Sequence, residues 1–352
     1  MESISFARGV PAPDCLPEAE LADCAREVLA RDGKTILSYG SGAGYAPLRE
    51  LLGEWFKAPP SQVILTNGAL QGFVLLTQHF GRGRTVLVES PTYDRPLKIL
   101  REHGDSVVSM GMDDRGLVPD EVEKALSANP NPAFVYSIPT FQNPSGRTLP
   151  ADRRHEIVAL AKAHSALILE DDPYGLIRFE GEAAPSMFEL GRENVIYTSS
   201  FSKTISPGLR VGWYIVPETM VGPLVDRANS TYITPSLLSE AVVFEFLRRG
   251  SFEPNLVRIN ELLKARRDAM LSALEKEFSG AVWSKPEGGY FVWLELPDEA
   301  NAKEVLDRAE GVTAVLGSDF GGADNTIRLA YSYVSPEEIA EGVARLASAA
   351  SA

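Results

Sequence analysis

The sequence predicts an α/β protein with a mostly parallel sheet in a large domain, followed by a smaller α+β domain. Between about residues 62 and 216, seven short apolar or β-branched runs alternate with segments of helical period. Such alternation is typical of parallel strands whose connecting helices cover both faces of one sheet. Beyond residue 235 the pattern changes to amphipathic helices and strands of alternating polarity, which indicates a separate α+β unit.

The large domain is predicted to contain a seven-stranded sheet. Its strands are predicted at residues 63–65, 86–88, 107–108, 134–136, 167–169, 195–196 and 211–216. One connecting helix, predicted over residues 153–164, places Ile157, Leu160 and Ala161 on a common face. Ligands of such sheets bind at the carboxyl ends of the strands, so the residues that follow each strand are the candidates for chemistry.

The smaller domain is predicted from the region after residue 235. Helices cover residues 236–278 with a break near Gly250, and a half-exposed strand follows at 290–296. A helix at 302–309, strands at 312–316 and 326–330, and a final helix at 336–346 complete the pattern. The helix predicted at 17–31 could join this unit. We therefore expect a large domain of residues 36–240 and a discontinuous small domain of residues 1–35 and 241–352.

Composition excludes several classes of protein. The 352 residues include 34 Lys and Arg against 48 Asp and Glu, a net charge of −14, which argues against nucleic acid or an anionic membrane as the main partner. Two cysteines, Cys15 and Cys24, do not make a disulfide framework and favour a reducing compartment. No signal-peptide pattern and no apolar stretch of transmembrane length is present. We expect a cytoplasmic protein without nucleic-acid or membrane partners.

The most informative strand end carries a lysine. Ser200-Phe201-Ser202-Lys203 follows an apolar run, and Arg210 lies seven residues beyond the lysine. A lysine at a strand edge beside hydroxyl groups predicts an imine with a carbonyl compound. Ser-x-x-Lys also occurs in penicillin-recognising enzymes, but their Ser-Asp-Asn and Lys-Thr-Gly motifs are absent here. Arg210 precedes another apolar strand and is better explained as a phosphate partner than as a surface charge.

Acidic residues follow the strand at 167–169. Carboxylates such as Asp171 are expensive to bury unless a positive charge, for example a protonated heterocycle nitrogen, pairs with them. Tyr174 would add a donor. The alternative is that these acids are solvated in the first turn of a helix. A metal site is a poor alternative, because the four histidines show no ligand spacing with these acids, and we expect no metal.

Three further strand ends are each ambiguous alone. Asn67 is predicted to cap a helix whose start, at Gly68, admits an anion to backbone N–H groups; an ordinary turn is the alternative. Tyr93 offers a flat face to an aromatic ligand, or simply packs. Asn143 precedes Pro144, which fixes a tight turn and holds the amide in place. A purely structural turn is equally compatible with that dipeptide.

In this order, the motifs at 139–146, 171–174 and 199–213 resemble those of fold-type-I pyridoxal-phosphate (PLP) enzymes of the class I/II aminotransferase family. The similarity is greatest to the 2-aminoadipate/kynurenine-type and MocR-like subgroup, and it runs from residue 4 to residue 331. It implies the PLP-dependent transferase fold type I and ping-pong transfer of an amino group between an α-amino acid and a 2-oxo acid. The family's breadth suggests 2-aminoadipate, aromatic or branched-chain substrates with glutamate or 2-oxoglutarate.

The resemblance implies roles around the PLP ring. Lys203 would form the internal aldimine with PLP and then move the substrate proton. Asp171 would pair with the pyridinium nitrogen, which keeps the ring an electron sink. Tyr93 would stack on the ring, and Asn143 and Tyr174 would bond its phenolic oxygen.

The resemblance also implies a phosphate site and a homodimer. Tyr39 matches a tyrosine that reaches the phosphate of the neighbouring subunit, so the two active sites would be shared. The residues of the same chain that would hold the phosphate are Gly68, Ala69, Leu70, Ser200, Ser202 and Arg210.

Substrate recognition is implied at two places. Arg328 matches the arginine that clamps the substrate α-carboxylate, with Asn143 and Gly9 beside it. Arg8 stands where the family usually has glycine. It would recognise an acidic side chain or be a surface arginine. Leu316 replaces the usual proline, and the relatives usually carry a further segment before the stretch that begins here at Ile4.

Two rivals remain open at this stage. A PLP-dependent β-lyase or decarboxylase would use the same fold, although Arg328 and Tyr39 favour transamination. A PLP-binding effector domain of a transcriptional regulator would need an N-terminal winged helix, for which we expect no room before Ile4.

Overall fold

A computed structural model of the chain describes residues 3–351. In this range the strands are β1 (Ile4–Ser5), β2 (Val63–Thr66), β3 (Thr85–Ser90), β4 (Ser106–Asp113), β5 (Gly116–Leu117), β6 (Phe134–Ser137), β7 (Ile168–Asp171), β8 (Val195–Ser200), β9 (Gly212–Ile215), β10 (Val282–Trp283), β11 (Phe291–Glu295), β12 (Val312–Thr313), β13 (Val315–Leu316) and β14 (Thr326–Ala330). The helices are α1 (Glu18–Ile36), α2 (Ala46–Phe56), α3 (Ala69–Leu76), α4 (Asp94–His103), α5 (Pro119–Ala128), α6 (Ala151–Ala163), α7 (Met187–Leu190), α8 (Glu218–Thr231), α9 (Leu237–Arg248), α10 (Phe252–Glu277), α11 (Ala302–Arg308) and α12 (Pro336–Ala350).

The central sheet has the strand order β2-β9-β8-β7-β6-β3-β4-β5. The pairs from β8 through β4 are parallel, and β9 is antiparallel to both of its neighbours. The predicted α/β class and mostly parallel sheet are confirmed, and all seven predicted strands form. The sheet nevertheless has eight strands, because the two-residue β5 folds back antiparallel onto β4. A strand so short has no periodicity that a sequence could reveal.

The second sheet is antiparallel, with the order β10-β11-β14-β13. The strand predicted at 312–316 is corrected to two strands in different sheets. Val312 pairs in parallel with Ile4 of β1, whereas Val315 pairs antiparallel with Arg328 of β14. The chain changes partner between them, at Ala314, where the two sheets meet.

Separate apolar clusters support the two sheets. Cys24 and Val28 of α1 pack in the cluster that contains Leu65 and Leu87 of the central sheet. A second cluster joins β1, β11 and β14 to α10 and α12, with Phe6 fully buried in it. The division into residues 36–240 and the remainder stays a prediction. Within residues 3–351, each helix is too short or too polar to cross a membrane.

The parallel order determines where side chains gather. Strands β3, β6, β7 and β8 are neighbours and point the same way, so their carboxyl ends share one edge of the sheet. The residues that follow each of these strands are therefore brought together, although they are far apart in the chain.

Candidate active site

A cleft of about 250 Å³ lies at this edge. The predicted residues that line it are Ala69, Leu70, Tyr93, Asn143, Asp171, Tyr174, Ser200, Ser202, Lys203 and Arg210. The remaining walls are Val10, Phe73, Pro96, Ile138, Pro173, Pro207 and Tyr214. The cleft thus combines apolar walls with a small set of convergent polar groups, which is the usual composition of a small-molecule site.

Lys203 lies just beyond the end of β8, in the turn that leads to β9. Its Nζ donates a hydrogen bond to the carbonyl oxygen of Gly9, at 2.8 Å, and lies 5.3 Å from the ring centroid of Tyr290. Desolvation, followed by the charges of Arg328 and Arg210, lowers the pKa of Lys203 to about 8. Roughly a tenth of such an amine is neutral at pH 7, far more than for an ordinary lysine. This lysine is therefore a competent nucleophile toward a carbonyl group.

Asp171 is the last residue of β7. Its Oδ2 accepts a hydrogen bond from the hydroxyl of Tyr136 at 2.7 Å. Its Oδ1 is buried and has no hydrogen-bond partner among residues 3–351. Burial raises the pKa of Asp171 to about 7, although the Tyr136 bond opposes the rise. An unpartnered buried carboxylate oxygen is costly, and a cationic ligand in the cleft would relieve that cost.

Asn143 lines the same cleft as Asp171 and is bonded by Arg328. Arg328 is 7% exposed, and its Nη1 donates to Asn143 Oδ1 at 2.9 Å. Its Nη2 donates to the carbonyl oxygen of Ala7 at 2.9 Å, while its Nε is buried without a partner in the described chain. Because Arg328 occupies the amide oxygen of Asn143, the amide nitrogen keeps its N–H donors for a ligand. Arg328 itself is not among the residues that line the cleft, but it bonds Asn143, which does line it.

The start of α3 has the geometry that an anion site requires. The residue before the helix is Gly68, with φ +85°, and no side chain caps the helix. The predicted Asn67 cap is wrong, because Asn67 Oδ1 instead accepts a bond from the backbone N–H of Ser236, at 3.0 Å. The N–H groups of Ala69 and Leu70 are therefore left to a ligand.

Arg210 completes this anion site. Its Nη1 donates to Ser202 Oγ at 3.5 Å, and its Nη2 donates to the carbonyl oxygen of Asn67 at 3.3 Å. A Cβ atom on Gly68 would lie 2.2 Å from Arg210 Nη2, so only glycine allows the guanidinium to sit over the helix start. Two serines, an arginine and an uncapped helix are the donor set that binds phosphate.

Among the predicted residues that do not line the cleft, two are exposed in the single chain. Tyr39 is 81% exposed. Arg8 is also exposed, and its guanidinium lies 5.0 Å from the ring centroid of Tyr333. Gly9 reaches the site only through its carbonyl oxygen, which accepts the Lys203 bond.

Sequence reasoning missed two tyrosines. The hydroxyl of Tyr136 bonds Asp171, and that of Tyr214 donates to the carbonyl oxygen of Ala69 at 2.7 Å. Both lie on buried strands, where a phenol must find a partner. Tyr136 is opposite Leu169 in the sheet, and Asp171, two residues on, faces the same side. The pairing register of β6 and β7 is the signal that would have identified Tyr136 as the partner of Asp171.

The family model for aminotransferase class I and II matches residues 4–346. The 2-aminoadipate transaminase of Thermus thermophilus is 36% identical, over 97% of this chain and 89% of its own length. Aromatic-amino-acid aminotransferase 1 of Thermococcus litoralis is 35% identical, over 98% and 87%. The crystal structure of LysN, an α-aminoadipate aminotransferase from Thermus thermophilus complexed with N-(5'-phosphopyridoxyl)-L-leucine, has a TM-score of 0.94 and 36% identity, over 99% of this chain and 92% of LysN.

The HTH-type transcriptional regulator YdfD of Bacillus subtilis is 31% identical, over 97% of this chain and 73% of its own length. The chain belongs to the aminotransferase class I and II family. It is a PLP-dependent aminotransferase, which moves an amino group between an α-amino acid and a 2-oxo acid.

Three features of the cleft fit PLP. The orphaned Oδ1 of Asp171 suits a protonated ring nitrogen. The uncapped start of α3 with Arg210 suits a phosphate. The amine of Lys203, with its lowered pKa, suits an aldehyde. When bound, the cofactor supplies that aldehyde and a ring that withdraws electrons from the carbon bearing the amino group.

Replacing Gly68 by alanine should weaken PLP binding by about tenfold or more, because the new methyl group displaces Arg210 from a charge-assisted bond. The dissociation constant of the apoprotein for PLP, measured by fluorescence titration, checks this. Gly83→Ala is the matched control. Gly83 also has a positive φ, +75°, but a Cβ there meets nothing within 4 Å. Equal affinity in the two variants would contradict the anion site described above.

Proposed function

We propose that the donor of this aminotransferase is an aromatic or branched-chain amino acid. The observation that carries the proposal is the apolar wall of the cleft, formed by Val10, Phe73, Ile138 and Tyr214 among others. Arg8, which was predicted either to recognise an acidic side chain or to be a surface arginine, is exposed and lies over the ring of Tyr333. The aromatic-amino-acid aminotransferase of Thermococcus litoralis, by its name, acts on such donors.

We also propose a role for each residue around the ring. Lys203 would hold the cofactor through its aldehyde and, once released by the substrate, would take the proton from the substrate Cα and later give it back. Asp171 holds the ring nitrogen in its protonated form through Oδ1. Tyr93, which lines the cleft, stacks on the ring, and Asn143 and Tyr174 donate to its phenolic oxygen. The burial of Tyr174 raises its pKa, so its hydroxyl stays protonated as a donor.

The substrate α-carboxylate is proposed to bind Arg328. Two of the five N–H donors of Arg328 are hydrogen-bonded to Asn143 Oδ1 and to the carbonyl oxygen of Ala7. The remaining donors can take a carboxylate, and the unpartnered Nε is one of them. The shared bond with Asn143 would couple the carboxylate position to the ring, so that the Cα–H bond is held in the orientation for proton removal.

The donor class is tested by kcat/KM for phenylalanine, leucine and 2-aminoadipate with 2-oxoglutarate. We expect the two apolar donors to exceed 2-aminoadipate by about tenfold, since a carboxylate against an apolar wall loses its hydration. Arg8→Ala should leave all three values unchanged. A preference for 2-aminoadipate that disappears in Arg8→Ala would overturn the proposed donor class and assign Arg8 to an acidic side chain.

We further propose a homodimer in which Tyr39 of one chain reaches the phosphate site of the other. The high exposure of Tyr39 supports this, as does the exposed Leu37 beside it. Ile233 lies near the same face, because its neighbour Thr234 bonds the segment that follows Tyr39. The Oγ1 of Thr234 donates to the carbonyl oxygen of Ser41 at 3.2 Å. Ile233 is itself exposed and has φ +70°, a strained value for a β-branched residue.

Shared sites predict complementation between two defective variants. Co-expressed Lys203→Ala and Tyr39→Ala chains should form hybrid dimers in which one site has both an intact Lys203 and an intact Tyr39. The activity of the mixture should therefore exceed that of either variant alone. Lys203→Ala with Arg210→Ala is the control, because these two residues belong to the same site and no hybrid site is complete. Absence of recovery in the first mixture, or a monomer in sedimentation, would reject the shared site.

A cytoplasmic location is proposed on the chemistry of the thiols. Cys15 and Cys24 are both buried and free, which suits a reducing compartment.

A further inference from the structure

Two consecutive aspartates, Asp171 and Asp172, each accept a hydrogen bond from a buried tyrosine, on opposite sides of the sheet. Tyr136 donates its hydroxyl to Asp171 Oδ2 at 2.7 Å, and Tyr197 donates to Asp172 Oδ2 at 3.2 Å. Asp171 lines the cleft, whereas Asp172 and Tyr197 line a different cavity. The two pairs are alike in chemistry and burial but differ in whether a cofactor can touch the acid.

The hydrogen bond from Tyr136 determines which oxygen of Asp171 is available to a ligand. Oδ2 is satisfied by Tyr136, while Oδ1 is buried and without a partner in the described chain. A carboxylate without the Tyr136 bond would rotate to satisfy whichever oxygen found a donor. Tyr136 is fully buried in β6, with its ring against that of Phe73 at 5.4 Å between centroids. Its hydroxyl is therefore a fixed point.

Tyr136 also favours the charged form of Asp171. Burial raises the pKa of the carboxyl group, and Asp172 and Glu89 raise it further, whereas the hydrogen bond from Tyr136 lowers it. A donor to a carboxylate stabilises the anion. Loss of the bond would leave a carboxyl group that more readily keeps its own proton instead of sharing one with a ligand.

We infer that Tyr136 is a positioning residue, which aims Oδ1 of Asp171 at the ring nitrogen of PLP and makes the site select a protonatable ring. The inference rests on the proposed pairing of Asp171 with that nitrogen. It adds a residue that does not itself touch the ring. The selected chemical class is a phosphorylated pyridine aldehyde, as opposed to the isosteric benzene in which CH replaces the ring nitrogen.

The test is the ratio of two dissociation constants of the apoprotein, one for PLP and one for 1-deaza-PLP, both measured by fluorescence titration. The wild type should prefer PLP. Tyr136→Phe should reduce that preference by about tenfold, the effect of losing a hydrogen bond to a charged group. Tyr197→Phe, the matched control, should leave it unchanged. An unchanged ratio in Tyr136→Phe, or an equal reduction in Tyr197→Phe, would overturn the inference.

Asp171→Asn separates this inference from the proposed function. If Asp171→Asn keeps the wild-type ratio, the pairing of Asp171 with the ring nitrogen is itself wrong. If Asp171→Asn removes the preference and Tyr136→Phe keeps it, only the role of Tyr136 fails. Should Tyr136→Phe not fold, a crystal structure of the wild type with PLP decides. We expect Oδ2 on Tyr136 and Oδ1 on the ring nitrogen, and the nitrogen on Oδ2 would overturn the inference.

Discussion

Replacing Lys203 by alanine should lower kcat for transamination by about 10⁴-fold or more, because both the nucleophile and the general base are lost. Lys203 is the lysine that lines the cleft, and its pKa of about 8 leaves a usable fraction of neutral amine at physiological pH. The measurement is release of 2-oxo acid from the amino donor in the presence of acceptor. Lys203→Arg should be as inactive as the alanine variant, because arginine keeps the charge but does not deprotonate in proteins.

The control for Lys203 is a lysine away from the cleft. Lys124 on α5 is exposed, and its Nζ lies 3.6 Å from Glu121 Oε1. Because it lies away from the cleft, Lys124→Ala should retain wild-type kcat. A surface ion pair of this kind contributes little to stability. Formation of 2-oxo acid at the wild-type rate by Lys203→Ala would refute the assignment of the active site.

The second large effect is expected at Arg328. Arg328→Ala should lower kcat/KM by about 10³-fold, because the proposed bidentate bond to the substrate carboxylate, with its two charge-assisted hydrogen bonds, would be lost. Arg328→Lys should recover only part of this, since an ammonium group keeps the charge without the planar pair of donors. The guanidinium lies between the rings of Phe291 and Phe320, at 4.5 and 4.7 Å from their centroids, so its orientation is fixed before substrate arrives.

Arg178 is the matched control for Arg328. It lies 4.7 Å above the ring of Phe141, in a similar cation–π contact outside the cleft. Arg178→Lys should leave kcat/KM within about twofold, because this largely buried cation–π contact does not line the cleft and lysine keeps the charge over the ring. If Arg178→Lys lowers kcat/KM as much as Arg328→Lys, the effect is one of packing and Arg328 has no special place in substrate binding.

Much of the site was predictable from the sequence because parallel strands gather their carboxyl ends. Asp171 and Lys203 each follow an apolar run, and the order of β7 and β8 in the sheet brings them together. The glycine at the start of α3 was predictable, because the strand–glycine–helix pattern is local. The functional roles were predicted instead from the resemblance to PLP enzymes. No single motif established that resemblance.

What the sequence did not reveal depends on pairings between distant segments. Asn67 has the residue type of a helix cap. Its side-chain oxygen instead accepts a hydrogen bond from the backbone N–H of Ser236, which is far away in the chain. Arg328 and Asn143 are 185 residues apart and meet only because β14 packs beside the strand-end loop. Tyr136 looked like one more core residue of β6 until the register with β7 placed it beside Asp171.

A transaminating cleft keeps the amino group of its donor on the cofactor and releases a 2-oxo acid. A single-turnover experiment tests it most directly: holoenzyme is mixed with an amino donor but no acceptor, and the products are measured with the visible spectrum. We predict one equivalent of 2-oxo acid per cofactor, loss of the lysine-bound absorption band, and no free ammonia. Continued turnover with release of ammonia would indicate a β-lyase, and release of carbon dioxide a decarboxylase. Either result would contradict transamination by this protein.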